Sequence, residues 1–272
     1  MIAASLEKDL YFFNNYLYYD NNYKVYLLSR ILDYFSHTDI GNYRSTNEDF
    51  YSAEDNLFIA ADGMGGHNAG EVASKQAVEV FKNYFFKYAR RAKNPDLKKV
   101  EEIIRVSIKS ANTKVHRNSK KDRSLYGMGT TLTACYIFED QACVGHVGDS
   151  RLYLKRGSKL GLMTMDHTMV GELYRNGKIS AEEAFSHPQK NILTNVIGTS
   201  EDIKPDVFCF GLKQEDLLLI CTDGLNSMLT DKAINKIMGS GRDIEEMGKK
   251  LINNAKRKGG LDNITLIIIR YE

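Results

Sequence analysis

The chain has 272 residues, 43% of them apolar and 26% charged, which is enough apolar content for a packed core and argues against wholesale disorder. Lys and Arg number 37 against 35 Asp and Glu, and no polybasic stripe stands out, so the electrostatic footprint of a nucleic-acid binder is missing. The longest apolar runs, 217–221 and 264–269, are far too short to span a bilayer, and the first residues do not read as a secretory signal. The expectation is a soluble, cytoplasmic globular protein without membrane insertion. Four cysteines, Cys135, Cys143, Cys209 and Cys221, lie in apolar, strand-like runs without metal-ligand spacing and are expected as buried free thiols.

Residues 1–29 are rich in tyrosine, carry asparagine pairs and show no clean period; they read as an N-terminal extension. A strand is expected over 25–35 and another over 56–61, the latter ending in Asp62-Gly63-Met64-Gly65-Gly66. Apolar residues then recur at helical spacing, first Ala73, Ala77, Val80, Phe81, Tyr84, Phe85 and Tyr88, then Leu97, Val100, Ile104, Ile108, Ala111 and Val115. Two long amphipathic helices broken near Pro95 follow from that spacing. The pattern switches to short buried runs at 130–138, 141–147 and 151–155, read as three consecutive strands. Residues 166–198 form a polar, helix-prone insertion. Strands are expected again over 206–210, 217–221 and 264–269, with a helix around Ile244, Met247, Leu251, Ile252 and Ala255. With no repeat, linker or low-complexity tract, 30–272 reads as one α+β domain whose helices and strands are largely segregated.

The informative feature is where certain aspartates fall. Asp62, Asp149, Asp223 and Asp262 each sit where a buried strand meets a glycine-rich turn. One such junction is ordinary turn chemistry. Four of them on rigid strand ends can converge, and converging carboxylates repel unless a cation compensates them. Hard divalent ions take oxygen ligands of this kind, and a glycine beside a ligand leaves its carbonyl free to approach an ion. The pattern alone leaves a metal site and four independent turns both open. Arg44, one loop before the Asp62 strand, offers the planar fork that holds two oxygens of a phosphate.

The motifs together resemble the metal-dependent serine/threonine protein phosphatase family, the PPM or type 2C family, in its compact bacterial form. In order, they are His37-Thr38-Asp39-Ile40-Gly41 leading to Arg44 and Asn47-Glu48-Asp49; Ala61-Asp62-Gly63-Met64-Gly65-Gly66; Gly127-Met128-Gly129-Thr130-Thr131; Gly145-His146-Val147-Gly148-Asp149-Ser150-Arg151; Cys221-Thr222-Asp223-Gly224-Leu225; and Asp262-Asn263-Ile264-Thr265. The insertion, with Asp166-His167-Thr168, Gly177-Lys178-Ile179-Ser180, His187-Pro188 and Asn191-Ile192-Leu193, resembles the bacterial flap beside the active site.

The resemblance implies an α-β-β-α sandwich of two central, mainly antiparallel sheets flanked by helices. It implies two Mn²⁺ or Mg²⁺ ions, with Asp62 bridging, the Gly63 carbonyl on the first and Asp223 and Asp262 on the second. Asp149 with Asp223 would hold a third ion, Glu48 and Asp49 would contact coordinated water, and Arg44 would bind the substrate phosphate. The activity implied is water-driven hydrolysis of phosphoserine and phosphothreonine on proteins, opposing a serine/threonine kinase, by a monomer. Where eukaryotic members place a histidine as proposed general acid, this chain has Met64; His67 nearby or a coordinated water then takes that role. The intact aspartates argue against a binding-only relative, while a small-molecule phosphohydrolase stays open. Other candidates read as structural: His146 packed, His116 solvated, the Lys249 to Lys258 stretch a polar helix face, and Asp166 and His167 ordering the flap.

Overall fold

Unbroken apolar runs in the strands have a simple cause: both faces of each central sheet are covered. The computed structural model describes residues 17–19, 25–27, 32–65, 69–92, 95–189 and 191–272. In chain order the strands are β1 Leu17–Tyr19, β2 Val25–Leu27, β3 Asp33–Asp39, β4 Asp49–Glu54, β5 Leu57–Met64, β6 Gly129–Thr130, β7 Leu132–Phe138, β8 Gln141–Val147, β9 Arg151–Arg156, β10 Lys159–Leu162, β11 Asp206–Gly211, β12 Asp216–Cys221 and β13 Ile264–Tyr271. The helices are α1 Ala69–Ala89, α2 Leu97–Lys121, α3 Met169–Arg175, α4 Ala181–Ser186, α5 Asp223–Asn226, α6 Asp231–Met238 and α7 Ile244–Arg257.

Two antiparallel sheets pack face to face, one ordered β10-β9-β12-β13-β3 and the other β11-β8-β7-β5-β4, with β6 paired to the end of β5. Alternation along each strand distributes the side chains among three cores. In β5, Leu57, Ile59 and Ala61 meet α1 and α2, while Phe58 and Ala60 enter the core between the sheets. In β12, Leu217, Leu219 and Cys221 pack with α5, α6 and α7, and Leu218 and Ile220 face inward. The result is the expected α-β-β-α sandwich. Asp96 caps α2 by accepting from Lys99 N at 2.8 Å, which starts the helix just after Pro95. Among the described residues no helix is long and apolar enough to cross a membrane.

Several expectations change. The run expected as one strand over 25–35 holds all of β2 and the start of β3, and residues 28–31 lie outside the described residues. β5 does not stop before Asp62 but carries Asp62, Gly63 and Met64, because β6 gives the last two a partner. β4 and β10 were not foreseen: one is a half-buried edge strand and the other an exposed one, and neither has a clean apolar alternation. Cys143 and Cys209 are a disulfide rather than free thiols; they stand directly opposite each other on neighbouring strands β8 and β11, with Cα atoms 4.1 Å apart. Cys135 and Cys221 are free and buried as expected.

Phe81 is fully buried between α1 and its sheet and stacks on Phe85 at 5.9 Å. Phe81→Ala should cost about 3–5 kcal/mol in urea unfolding. A loss under about 1 kcal/mol would show that this helix layer collapses freely around the missing ring.

Candidate active site

The cleft opens at one end of the sandwich, where both sheets contribute. Asp62 and Gly63 come from β5, Asp149 from the turn after β8, Asp223 from the first residue of α5 after β12, and Asp262 from the loop entering β13. With Arg44, Glu48, Met64, Gly65, Thr131, Asn191, Leu193 and Asn263 they line a hollow of roughly 290 Å³. A larger hollow, lined by Asp140, Leu212, Gln214, Tyr271 and Glu272, gathers no comparable set. Arg44, Glu48, Asp62, Gly63, Asp149, Asp223 and Asp262, all singled out in the sequence, are therefore brought together. Asp49 lies just behind them, opposite Asp62 in the β4–β5 register, buried and outside the cleft lining.

Local hydrogen bonds explain why these segments stay put. Asn263 accepts from Glu48 N at 2.9 Å and donates to the carbonyls of Ile40 and Thr46 at 3.0 Å, stitching the Arg44 loop to the entry of β13. Thr131 Oγ1 accepts from Asp62 N at 2.9 Å, and Thr130 Oγ1 donates to Asp62 O at 2.8 Å. Thr222 Oγ1 donates to Asp49 Oδ2 at 2.8 Å and accepts from Thr265 N at 3.0 Å. A Cβ on Gly224 would collide with the Asn263 carbonyl oxygen, so only glycine lets the start of α5 lie against the Asp262–Asn263 loop.

The electrostatics are those of crowded acids. Withdrawal from solvent, then repulsion from Asp49, Asp223, Asp149 and Asp262, holds the Asp62 carboxyl well above the usual range. Burial and then Asp223 do the same to Asp149; burial and then Asp262 raise Asp223. Burial pushes Asp49 up to about 7, against the opposing bonds from Thr265 and Thr222. Asp49 Oδ1 and Asp223 Oδ1 are buried without a partner. Against this stands, among the described residues, one cleft-lining cation, Arg44, bonded to Asp262 Oδ2 at 2.7 Å.

An inward-facing set of crowded carboxylates with partnerless oxygens fits hard divalent cations. Among the described residues no three His, Cys, Asp or Glu side chains close around a single point, so part of the coordination of such an ion would fall to water and backbone carbonyl.

Neighbouring residues behave in part as expected. His146 is fully buried between Thr133 Oγ1 at 2.9 Å and Met165 O at 3.1 Å, and burial brings its pKa down to about 4. His116 is half-buried rather than fully solvated: its Nδ1 lies 3.0 Å from Gly198 O, at the exit of the insertion. Gly66 and His67 lie outside the described residues. Thr131, Asn191, Leu193 and the stitching threonines Thr130, Thr222 and Thr265 all lie within the motifs quoted from the sequence, but none was given a site role there.

The chain is similar in sequence and fold to known proteins. The family described as protein phosphatase 2C matches residues 44–262. The serine/threonine phosphatase stp of Listeria monocytogenes is 36% identical over 240 residues, covering 86% of this chain and 94% of the relative. The crystal structure of the serine/threonine phosphatase Stp1 from Staphylococcus aureus superposes with a TM-score of 0.83 at 34% identity, over 90% of this chain and 97% of that one. The catalytic domain of the serine/threonine protein phosphatase PstP, in complex with two manganese ions, gives a TM-score of 0.77 at 30% identity, over 88% and 97%. Strand-end aspartates, sandwich and sequence thus agree: this chain belongs to the protein phosphatase 2C family.

Proposed function

We propose that the chain is a metal-dependent protein phosphatase that hydrolyses phosphoserine and phosphothreonine on proteins, with residues 30–272 as the catalytic domain, 166–198 as its flap and 1–29 as an appended extension. The observation that carries the reading is the cluster of raised, partly unpartnered carboxylates facing one arginine in a single cleft. Asp62, the Gly63 carbonyl, Asp223 and Asp262 would hold two Mn²⁺ or Mg²⁺ ions, with Asp149 and Asp223 able to take a third. Such ions supply positive charge for a phosphate dianion and an acidified water as nucleophile.

The chain's own residues do the rest. Arg44 is about half exposed and reaches the cleft from its rim, so its guanidinium can turn from Asp262 to two phosphate oxygens. Glu48, in the cleft lining, would accept a hydrogen bond from coordinated water and orient it, and Asp49, buried behind Asp62, has its partnerless Oδ1 to offer to such a water. Among the described residues the cleft lining contains no Cys or His, so no thiol or imidazole nucleophile stands there. Met64 has no proton to give, so the leaving alkoxide would take its proton from a coordinated water or from His67. The reading carries with it a monomeric, cytoplasmic enzyme that opposes a serine/threonine kinase.

Purified protein should cleave a phosphothreonine peptide with Mn²⁺ and not with EDTA, and Asp223→Asn should lose at least about 100-fold in turnover while keeping its circular dichroism. Near-normal activity in that variant would remove Asp223 from the ion site. Arg44→Ala should chiefly raise KM for the peptide, about tenfold, because the guanidinium clamps the ground-state phosphate. A large kcat loss at unchanged KM would contradict a ground-state clamp.

The crowded acids also set a pH dependence. A carboxyl raised above its ordinary 3.8 stabilises the folded chain while protonated, and that contribution is lost as pH climbs through the folded value, about 7 for Asp49. His146, lowered to about 4, adds an opposite slope that ends near its ordinary 6.5. Comparing variants cancels that term. In EDTA, the stability of Asp62→Asn relative to wild type should therefore grow by about 1–2 kcal/mol between pH 5 and pH 8, read from urea midpoints. A constant difference would mean that the Asp62 charge is already compensated within the protein.

A further inference from the structure

Most large apolar side chains of the described residues are buried, but three that are exposed flank one side of the cleft: Ile40 at 39%, Tyr43 at 74% and Leu261 at 54%. Tyr43 immediately precedes Arg44, and Leu261 immediately precedes Asp262; neither side chain lines the cleft itself. Their loops are fastened together. Asn42 N donates to Gly260 O at 2.8 Å, Asn42 Nδ2 donates to Gly259 O at 2.9 Å, and Asn263 Nδ2 donates to Ile40 O at 3.0 Å. Asn191 and Leu193 of the insertion line the same cleft, as does Met64. The apolar rim is thus held in place by its backbone and is continuous with the Arg44–Asp262 pair, yet nothing within the described fold covers it. Contiguous exposed apolar groups at the edge of a polar site are where a partner's apolar groups are received.

We propose that this rim reads the substrate polypeptide by receiving a large apolar side chain two residues away from the phosphorylated one. The inference rests on the phosphatase reading above and names the substrate class of that site. With the phosphate seated between Arg44 and the carboxylates, the modified side chain points down into the cleft. In an extended chain the adjacent side chains point away, and those two positions along project the same way again, about 6.6 Å further on. That distance carries a Leu or Phe from the cleft onto Tyr43 and Leu261, where it buries apolar surface on both sides. An acidic side chain there would instead face the carboxylates that crowd the cleft.

The test uses the full chain with Mn²⁺ and a phosphothreonine peptide in a Ser/Gly background, with Leu, Phe, Glu, Lys or Ala placed singly from three residues before to three after the phosphothreonine. The small ester p-nitrophenyl phosphate, which has no flank, serves as control. Leu or Phe two residues from the phosphothreonine, on one side, should raise kcat/KM about five- to tenfold over Ala. Tyr43→Ser with Leu261→Ser should erase that gain while changing cleavage of p-nitrophenyl phosphate by less than about twofold. Equal cleavage of all peptides, a preference for Glu or Lys, a gain that survives the double variant, or a parallel loss on the small ester would each overturn the rim. Absence of cleavage of every peptide and of the ester would instead overturn the phosphatase reading beneath it.

Discussion

Carboxylates that repel one another are held together here by everything around them. Asp62, Asp149, Asp223 and Asp262 line one cleft, with Asp49 behind, and their charges favour dispersal unless protons or cations intervene. What prevents dispersal is that each is fixed to a strand or to the turn beside one, and the strands belong to sheets whose three cores are closed on both faces. The stability of the sandwich is therefore what keeps an unfavourable charge arrangement in place, and the same arrangement gives a divalent ion its affinity.

Holding the strands is not enough, because the acids lie at or just beyond strand ends. The last few ångströms are set by threonines and one asparagine. Thr130 and Thr131 bind both backbone polar groups of Asp62, Thr222 links Asp49 to Thr265, and Asn263 ties Glu48 and the Arg44 loop to the turn of Asp262. These neutral groups add no charge to the crowd, so they orient the acids without satisfying their demand for a cation. The oxygens left over, Asp49 Oδ1 and Asp223 Oδ1, remain partnerless.

Sequence patterns reach the parts of this molecule that bury apolar surface continuously. The α1 and α2 stripes and the β7, β8, β12 and β13 runs are visible because a buried face imposes a period or an unbroken run. β4 and β10 escape because sheet edges tolerate mixed residues, and α5 because four residues carry no period. At the site, strand-end placement singles out the aspartates, but a linear pattern cannot tell convergence from four unrelated turns; order of motifs and then geometry decide. The disulfide was missed for a related reason. Cys143 and Cys209 are 66 residues apart, and only the register of β8 against β11 puts them face to face.

That register also bears on the insertion. β11 begins at Asp206, whose carboxylate lies 3.1 Å from His167 Nε2, at the root of the flap. The other ring nitrogen of His167 accepts from Gly148 N at 3.2 Å, and His167 N donates back to Gly148 O at 2.8 Å. Gly148 is the residue before Asp149. At the far end of the insertion, Thr194 N donates to His167 O at 2.8 Å, Asn112 Oδ1 accepts from Gly198 N at 2.8 Å, and Ile197 pairs with Thr130, the residue that holds Asp62. Entry and exit of the flap are thus hydrogen-bonded to the turn or strand that positions an acid of the cleft. A displacement of either root disturbs Asp149 or Asp62 directly, whereas the outer turns of α3 and α4, with few buried side chains among their described residues, can vary without touching the acids. The insertion is constrained where it meets the chemistry and free where it meets solvent, which is the division a substrate-facing flap requires.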